Sequence, residues 1–280
     1  MTGLRNTLQK DMLKILITSL WASLITKSTR LYRHEKAMFI LVLLLMIPFF
    51  THALEVEEPK NPLKITLSPT YVTQHYWRGI GRGKLFGEAP AFEPQITFAK
   101  GKWMFGLFAG ASFDNIYKTA MPFVIYQVTP EFSVAVQDIY SPGAKFWDTN
   151  PFDFNLKSSY HFVDYYMTYR FRNFPLQLKW ATVFLGKDPK PEGGRNFTSY
   201  AEIGYGVKYK KWQADACIGA TPWKGLYATK AGINNLELKV QRNFVINQNV
   251  PFPVFLKSGY NPVSEKGVIV AGATLNLKIK

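Results

Sequence analysis

From residue 63 to the C-terminus the sequence repeats one pattern. Apolar and polar residues alternate in short runs, separated by clusters rich in Gly, Pro, Asn and Lys. A period of two belongs to the β-strand, whose successive side chains point to opposite faces. Phe92, Ile96 and Phe98 oppose Glu93, Gln95 and Thr97, and Leu176, Leu178, Trp180 and Phe184 oppose Gln177 and Lys179. Leu236, Leu238 and Val240 oppose Glu237, Lys239 and Gln241. Runs of this kind cover 63–76, 91–99, 102–112, 117–128, 131–140, 159–172, 174–185, 198–209, 211–220, 234–243, 252–260 and 267–279, about twelve in all, the weak signature of a membrane β-barrel.

The connections alternate in length. Ala99-Lys100-Gly101, Thr129-Pro130, Asn173-Phe174-Pro175 and Lys210-Lys211 are tight, whereas Gly79–Ala89, Ser141–Leu156, Gly186–Phe197 and Thr221–Ile233 are long. Short turns at one end and long loops at the other are the rhythm of an antiparallel barrel with an even strand count. A soluble sandwich also alternates, with its apolar face as core. Two features favour the barrel. Aromatics (16% of the chain) cluster near strand ends on apolar faces, as Trp103, Trp180, Tyr205, Tyr209 and Trp212 do, and the opposing faces mix charge with Gly and Ser. The expected fold is therefore all-β: an antiparallel transmembrane β-barrel of about twelve strands. Pro69 and Pro94 fall inside the first two strands and should mark bulges or strand ends.

One segment breaks the pattern. Met38–Phe50 is a nearly uninterrupted apolar run, preceded by Arg30, Arg33 and Lys36 and followed by Thr51-His52-Ala53. It is too short for a spanning helix, which needs about 20 residues, and fits a secretory signal cleaved near Ala53. The chain divides into an N-terminal extension and signal peptide, 1–53, and a barrel domain, 54–280. Met12–Ile25, a weaker apolar stretch, fits an extended or later translation start. An exported barrel points to a bacterial outer membrane. The net charge of +15 then suits anionic lipid headgroups as partner rather than nucleic acid. The barrel-assembly machinery is the other expected partner, although the C-terminal Leu277-Lys278-Ile279-Lys280 lacks the usual final aromatic.

Tyr71-Val72-Thr73-Gln74-His75-Tyr76-Trp77-Arg78-Gly79 resembles the opening strand of the Gcw_chp, or TorF-like, porin family, which ends in Trp-Arg-Gly. A polar second strand follows. Then comes a Gly- and aromatic-rich third, here Trp103-Met104-Phe105-Gly106-Leu107-Phe108-Ala109-Gly110. The resemblance is clearest over residues 63–115. It implies an exported outer-membrane barrel and brings no established substrate.

Few residues offer catalytic chemistry. His75 and His161 are the histidines after the signal and Cys217 is the only cysteine, so no intrachain disulfide, metal site or cofactor is expected. Ser159 and His161 lie two apart, on one strand face, and are the sole hydrolase candidate; no acid is visible in sequence to orient the imidazole. Parity assigns Glu93, Gln95, Asp164, Arg170, Lys179, Glu202, Lys208, Asp215, Glu237, Lys239 and Lys257 to the lumen. Trp77, Trp103, Trp180 and Trp212, toward strand ends, and Arg78, Arg82 and Lys84 of the basic first loop are assigned to the membrane interface and its headgroups. The expected function is a passive channel for small solutes. A structural or lipid-contacting envelope protein is the alternative, and an outer-membrane lipid hydrolase a more distant one.

Overall fold

The computed structural model describes residues 61–81, 86–246 and 250–279. The signal segment and the interface candidates Arg82 and Lys84 lie outside the described residues.

The strands are β1 (Lys64–Val72), β2 (Ala91–Lys100), β3 (Trp103–Ser112), β4 (Lys118–Gln127), β5 (Phe132–Tyr140) and β6 (His161–Arg170). They continue as β7 (Leu176–Gly186), β8 (Ser199–Tyr209), β9 (Trp212–Thr221), β10 (Gly232–Ile246), β11 (Val250–Asn261), β12 (Lys266–Thr274) and the two-residue β13 (Leu277–Lys278). From β1 to β12 each pairs antiparallel with its neighbour in sequence, and β12 and β13 both pair with β1. The sheet thus closes into a barrel of twelve walls and has no free edge. Closure matters in a bilayer, where an unpaired backbone group costs several kcal/mol. Following the register once around the wall returns to β1 about sixteen residues away, a stagger that tilts the strands by about 45°.

The four long connections all leave one end of the barrel, and the tight turns, the start of β1 and the two-residue β13 lie at the other. The wall presents an apolar outer face: Phe105, Leu107, Ile203, Val207, Ile218, Leu238, Leu256 and Ile269 are all exposed. Trp103, Tyr126, Tyr209 and Trp212 gather at the tight-turn end, where Trp103 packs 4.6 Å from Tyr126, the position of an aromatic girdle.

The prolines behave differently from the expectation. Pro69 and Pro94 stand directly opposite each other in an unbroken β1–β2 register, and neither marks a bulge or an end. The Pro69 carbonyl accepts from Leu275 N at 3.0 Å, so Pro69 turns its hydrogen-bonding edge toward the last strand. There the missing N–H interrupts the ladder and divides β12 from β13. The β2–β3 pairing lapses likewise at Glu93 and Pro94.

Two true bulges sit near the long-loop end, one in the β6–β7 pairing between Val163 and Asp164 and one in the β9–β10 pairing between Ile233 and Asn235. The second makes Asn234 an extra residue, so Asn234 and Asn235 are both buried although adjacent.

Candidate functional site: a turn inside the barrel

The first long connection does not stay at the rim. β1 ends at Val72, four residues before the strand boundary expected from sequence, and the chain turns into the lumen. Trp77 and Ile80 exchange two backbone hydrogen bonds, N to O at 2.9 and 2.8 Å. Arg78 and Gly79 between them have φ of 48° and 80°. Positive φ at both central residues is the type I′ turn, which Gly tolerates and Arg rarely adopts. A Cβ at Gly79 would lie 1.8 Å from the Asn234 carbonyl oxygen, so this position accepts only glycine.

The surrounding contacts explain why an arginine is held in that conformation. Its guanidinium donates to Asp164 Oδ2 on β6 at 2.6 Å and to the Tyr227 hydroxyl. It also lies over the rings of Trp77, Tyr200 and Tyr227, at 4.4, 5.4 and 5.4 Å. Arg78 is buried and Asp164 fully so. Asn234 Nδ2 donates to the Arg78 carbonyl and Asn261 Nδ2 to the Gly79 carbonyl, both at 3.0 Å. The Tyr76 hydroxyl donates to Asn235 Oδ1 at 2.6 Å, Lys257 Nζ donates to the Tyr76 carbonyl at 3.3 Å, and His75 Nδ1 lies 2.6 Å from Glu93 Oε1. The β10 bulge is therefore functional in the local sense: it turns two successive asparagines inward to seat the turn.

The sequence assignment of Trp77 and Arg78 to the lipid interface is thereby corrected. The assignment took the first strand to run through residue 76 to the rim, whereas it stops at Val72 and the chain bends inward. Trp103 and Trp212 stand at the tight-turn end, and Trp180 lies mid-strand in β7 on the outer face.

Below the turn a cavity of about 650 Å³ runs down to the β6–β7 connection. Arg170, Lys179, Glu202, Asp215, Cys217, Glu237 and Lys257 lie along it. Lys179 Nζ is 3.6 Å from Glu202 Oε1 and Lys257 Nζ 4.0 Å from Glu237 Oε2. Lys239 shares their face and sits 4.3 Å from the centre of the Phe255 ring. Lys208 and Gln95 share the faces of Glu202 and Glu93 respectively, Lys208 near the tight-turn end. Three residues of the sequence-derived lumen set, Asp164, Glu93 and Lys257, hold the inserted segment rather than open space. On the far side of the turn lies a second cavity of about 280 Å³, between Ile80, Tyr227 and Val268. The opposite half of the interior is apolar: β3 and β4 turn Met104, Phe108, Met121 and Phe123 inward, with the Phe123 ring laid on Gly106.

Ser159 and His161 form no relay. Sequence showed no acid beside His161, yet Asp138 stands there, both carboxylate oxygens 2.9 Å from Nδ1. The other nitrogen, Nε2, is committed to the Pro151 carbonyl at 2.9 Å, and the Ser159 hydroxyl accepts from the His161 backbone N–H at 2.9 Å. Neither ring nitrogen faces the serine, so the base of a nucleophilic pair is missing.

Sequence reasoning missed Tyr227, Tyr200, Asn234 and Asn235. The doubled Asn and the Trp-Arg-Gly string were the available signals.

No protein-family model and no curated protein matches the chain. Solved structures do. The KdgM porin is 7% identical, with 77% of this chain and 99% of that one covered and a TM-score of 0.45. An outer membrane channel from Pseudomonas putida F1 is 9% identical, with 79% and 97% covered and a TM-score of 0.41. A Rhodopseudomonas blastica porin triple mutant is 8% identical over 67% of this chain, with a TM-score of 0.36; the chain spans about half of that porin's length, 55%. The barrel assignment rests on the strand pairing described above.

Proposed function

We propose that this chain is an exported bacterial outer-membrane barrel, cleaved near Ala53, that passes small polar solutes through its lumen under control of the Trp77–Ile80 turn. One observation carries the reading: a charged cavity inside an apolar-faced barrel ends against a buried, ion-paired arginine at the tip of an inserted turn. A purely structural barrel has no need of such a cavity, since small barrels fill their interiors with side chains. Mixed charge along the cavity suits a selective conduit, and the long loops face the outside of the cell. The Trp77-Arg78-Gly79 motif, which resembles that of the Gcw_chp or TorF-like porins, supports membership of that family.

Planar-bilayer recording with purified protein tests this. Wild type should show small or infrequent openings, and Arg78→Ala or Asp164→Asn should raise conductance several-fold. Silence from all three proteins, with folding intact by circular dichroism, would favour the structural envelope role.

A further inference from the structure

We propose that the 141–160 loop is a bilayer anchor that lies against the outer wall of the barrel and places Trp147 and Phe152 in the headgroup–acyl boundary. The inference rests on the membrane reading above. Its starting point is which face the loop covers. Val134, Val136, Asp138 and Tyr140 share one face of β5, and His161, Val163, Tyr165, Met167 and Tyr169 share the paired face of β6. That face is the outer one: Met167 and Tyr169 on it are exposed, whereas Gln137 on the other face borders the inner cavity. Yet at the long-loop end Tyr140, His161 and Val163 are buried.

The loop is what buries them. Pro151 offers its carbonyl to His161 Nε2, the Phe154 ring stacks 4.1 Å from the imidazole, Phe146 packs 5.4 Å from Tyr140, and Thr149 hydrogen-bonds the Tyr140 hydroxyl. With Asp138 on Nδ1, His161 joins wall and loop from both ring nitrogens. The loop therefore folds outward over the wall instead of across the mouth.

In that position it leaves Trp147 and Phe152 each 83% exposed, the most exposed large apolar side chains among the described residues. Phe154, Ile116 and Phe113 are exposed as well, and Gly143 of the loop lies against the Ile116 carbonyl. The patch continues the outer apolar band upward from Val136 and Tyr165. Lys145 and Lys157 accompany the aromatics, balanced by Asp148 and Asp153. Lipid is the occupant this continuity selects: Trp and Phe at the top of an apolar band are the composition of an interfacial belt.

The test uses the full mature chain folded into phosphatidylcholine vesicles brominated either near the headgroup or near the acyl ends, with Trp147→Phe and Trp180→Phe read by difference in fluorescence. Trp180, mid-strand and outward, reports the membrane reading, and Trp147 reports the loop. Trp180→Phe should remove a component of the emission quenched by deep bromine, and Trp147→Phe a component quenched by shallow and not by deep bromine. If the Trp180 component responds and the Trp147 component instead answers to aqueous iodide, the loop stands in water and the anchor is refuted while the barrel reading survives. Shielding of Trp147 from both quenchers, as a second copy would give, also refutes it. Failure of both bromine signals removes the membrane reading and the anchor together.

Discussion

A buried ion pair at the tip of a strained turn makes Arg78 and Asp164 the most consequential residues in the chain. Removing one partner strands the other in the low-dielectric interior, which costs roughly 3–5 kcal/mol. Asp164→Asn should therefore lower the urea midpoint of the folded barrel, and the double change Arg78→Met with Asp164→Leu should recover much of the loss. If the double variant is no more stable than the single one, packing around the turn outweighs the charge. Asp114 presents a milder case at the long-loop end. The Ser112 hydroxyl, then the backbone N–H groups of Glu88, Ile116 and Ala89, hold its carboxyl below the usual value of 3.8. A depressed carboxylate contributes stability above its unfolded pKa and loses it as pH falls through the folded one. The protection factors of the Glu88 and Ala89 amides, exchange rates divided into the intrinsic rate at each pH, should accordingly be higher at neutral pH than below about 3.8, and low throughout in Asp114→Ala.

At the scale of the element, β10 tests the assignment of faces. Leu238 is exposed outward and Lys239 turns inward over Phe255. A lysine on the lipid face near the midplane costs about 2–4 kcal/mol, while lumen substitutions mainly tune selectivity. Leu238→Lys should impair folding into vesicles, followed by heat-modifiable gel mobility, and Lys239→Leu should fold at the wild-type yield. The opposite outcome would reverse the inside and outside of the barrel. The two prolines of β1 and β2 teach a related lesson. A closed sheet tolerates them because they face each other where no mutual N–H is needed, and each directs its deficit to the other neighbour, where one ladder lapses for two residues.

For the whole molecule, the inserted turn makes the two ends of the lumen unequal. The main cavity reaches the β6–β7 connection at the tight-turn end and stops at Trp77 and Arg78. Cys217, the only cysteine in the chain, lies beside this cavity. A membrane-impermeant thiol reagent should label it about tenfold faster from the tight-turn side of oriented vesicles than from the long-loop side, with Arg78→Ala abolishing the difference. Equal rates in wild type would mean that the turn does not obstruct the path.

Period-two alternation determined the strands, their number and their two faces, because pleat geometry acts residue by residue and needs no knowledge of the neighbours. The tight and long connections likewise told which ends group together. The inserted turn was decided elsewhere. Arg78 and Asp164 are 86 residues apart, and Gly79 and Asn261 are 182 apart. Their meeting depends on the register accumulated around the wall, on a bend after Val72 that ends the alternation, and on a bulge that turns Asn234 inward. The burial of His161 beneath the 141–160 loop has the same origin, since alternation places a side chain on a face but cannot say what folds over that face. Local geometry is written in neighbouring residues, whereas what fills or covers the barrel arises only when a distant segment finds polar partners that closure has brought together.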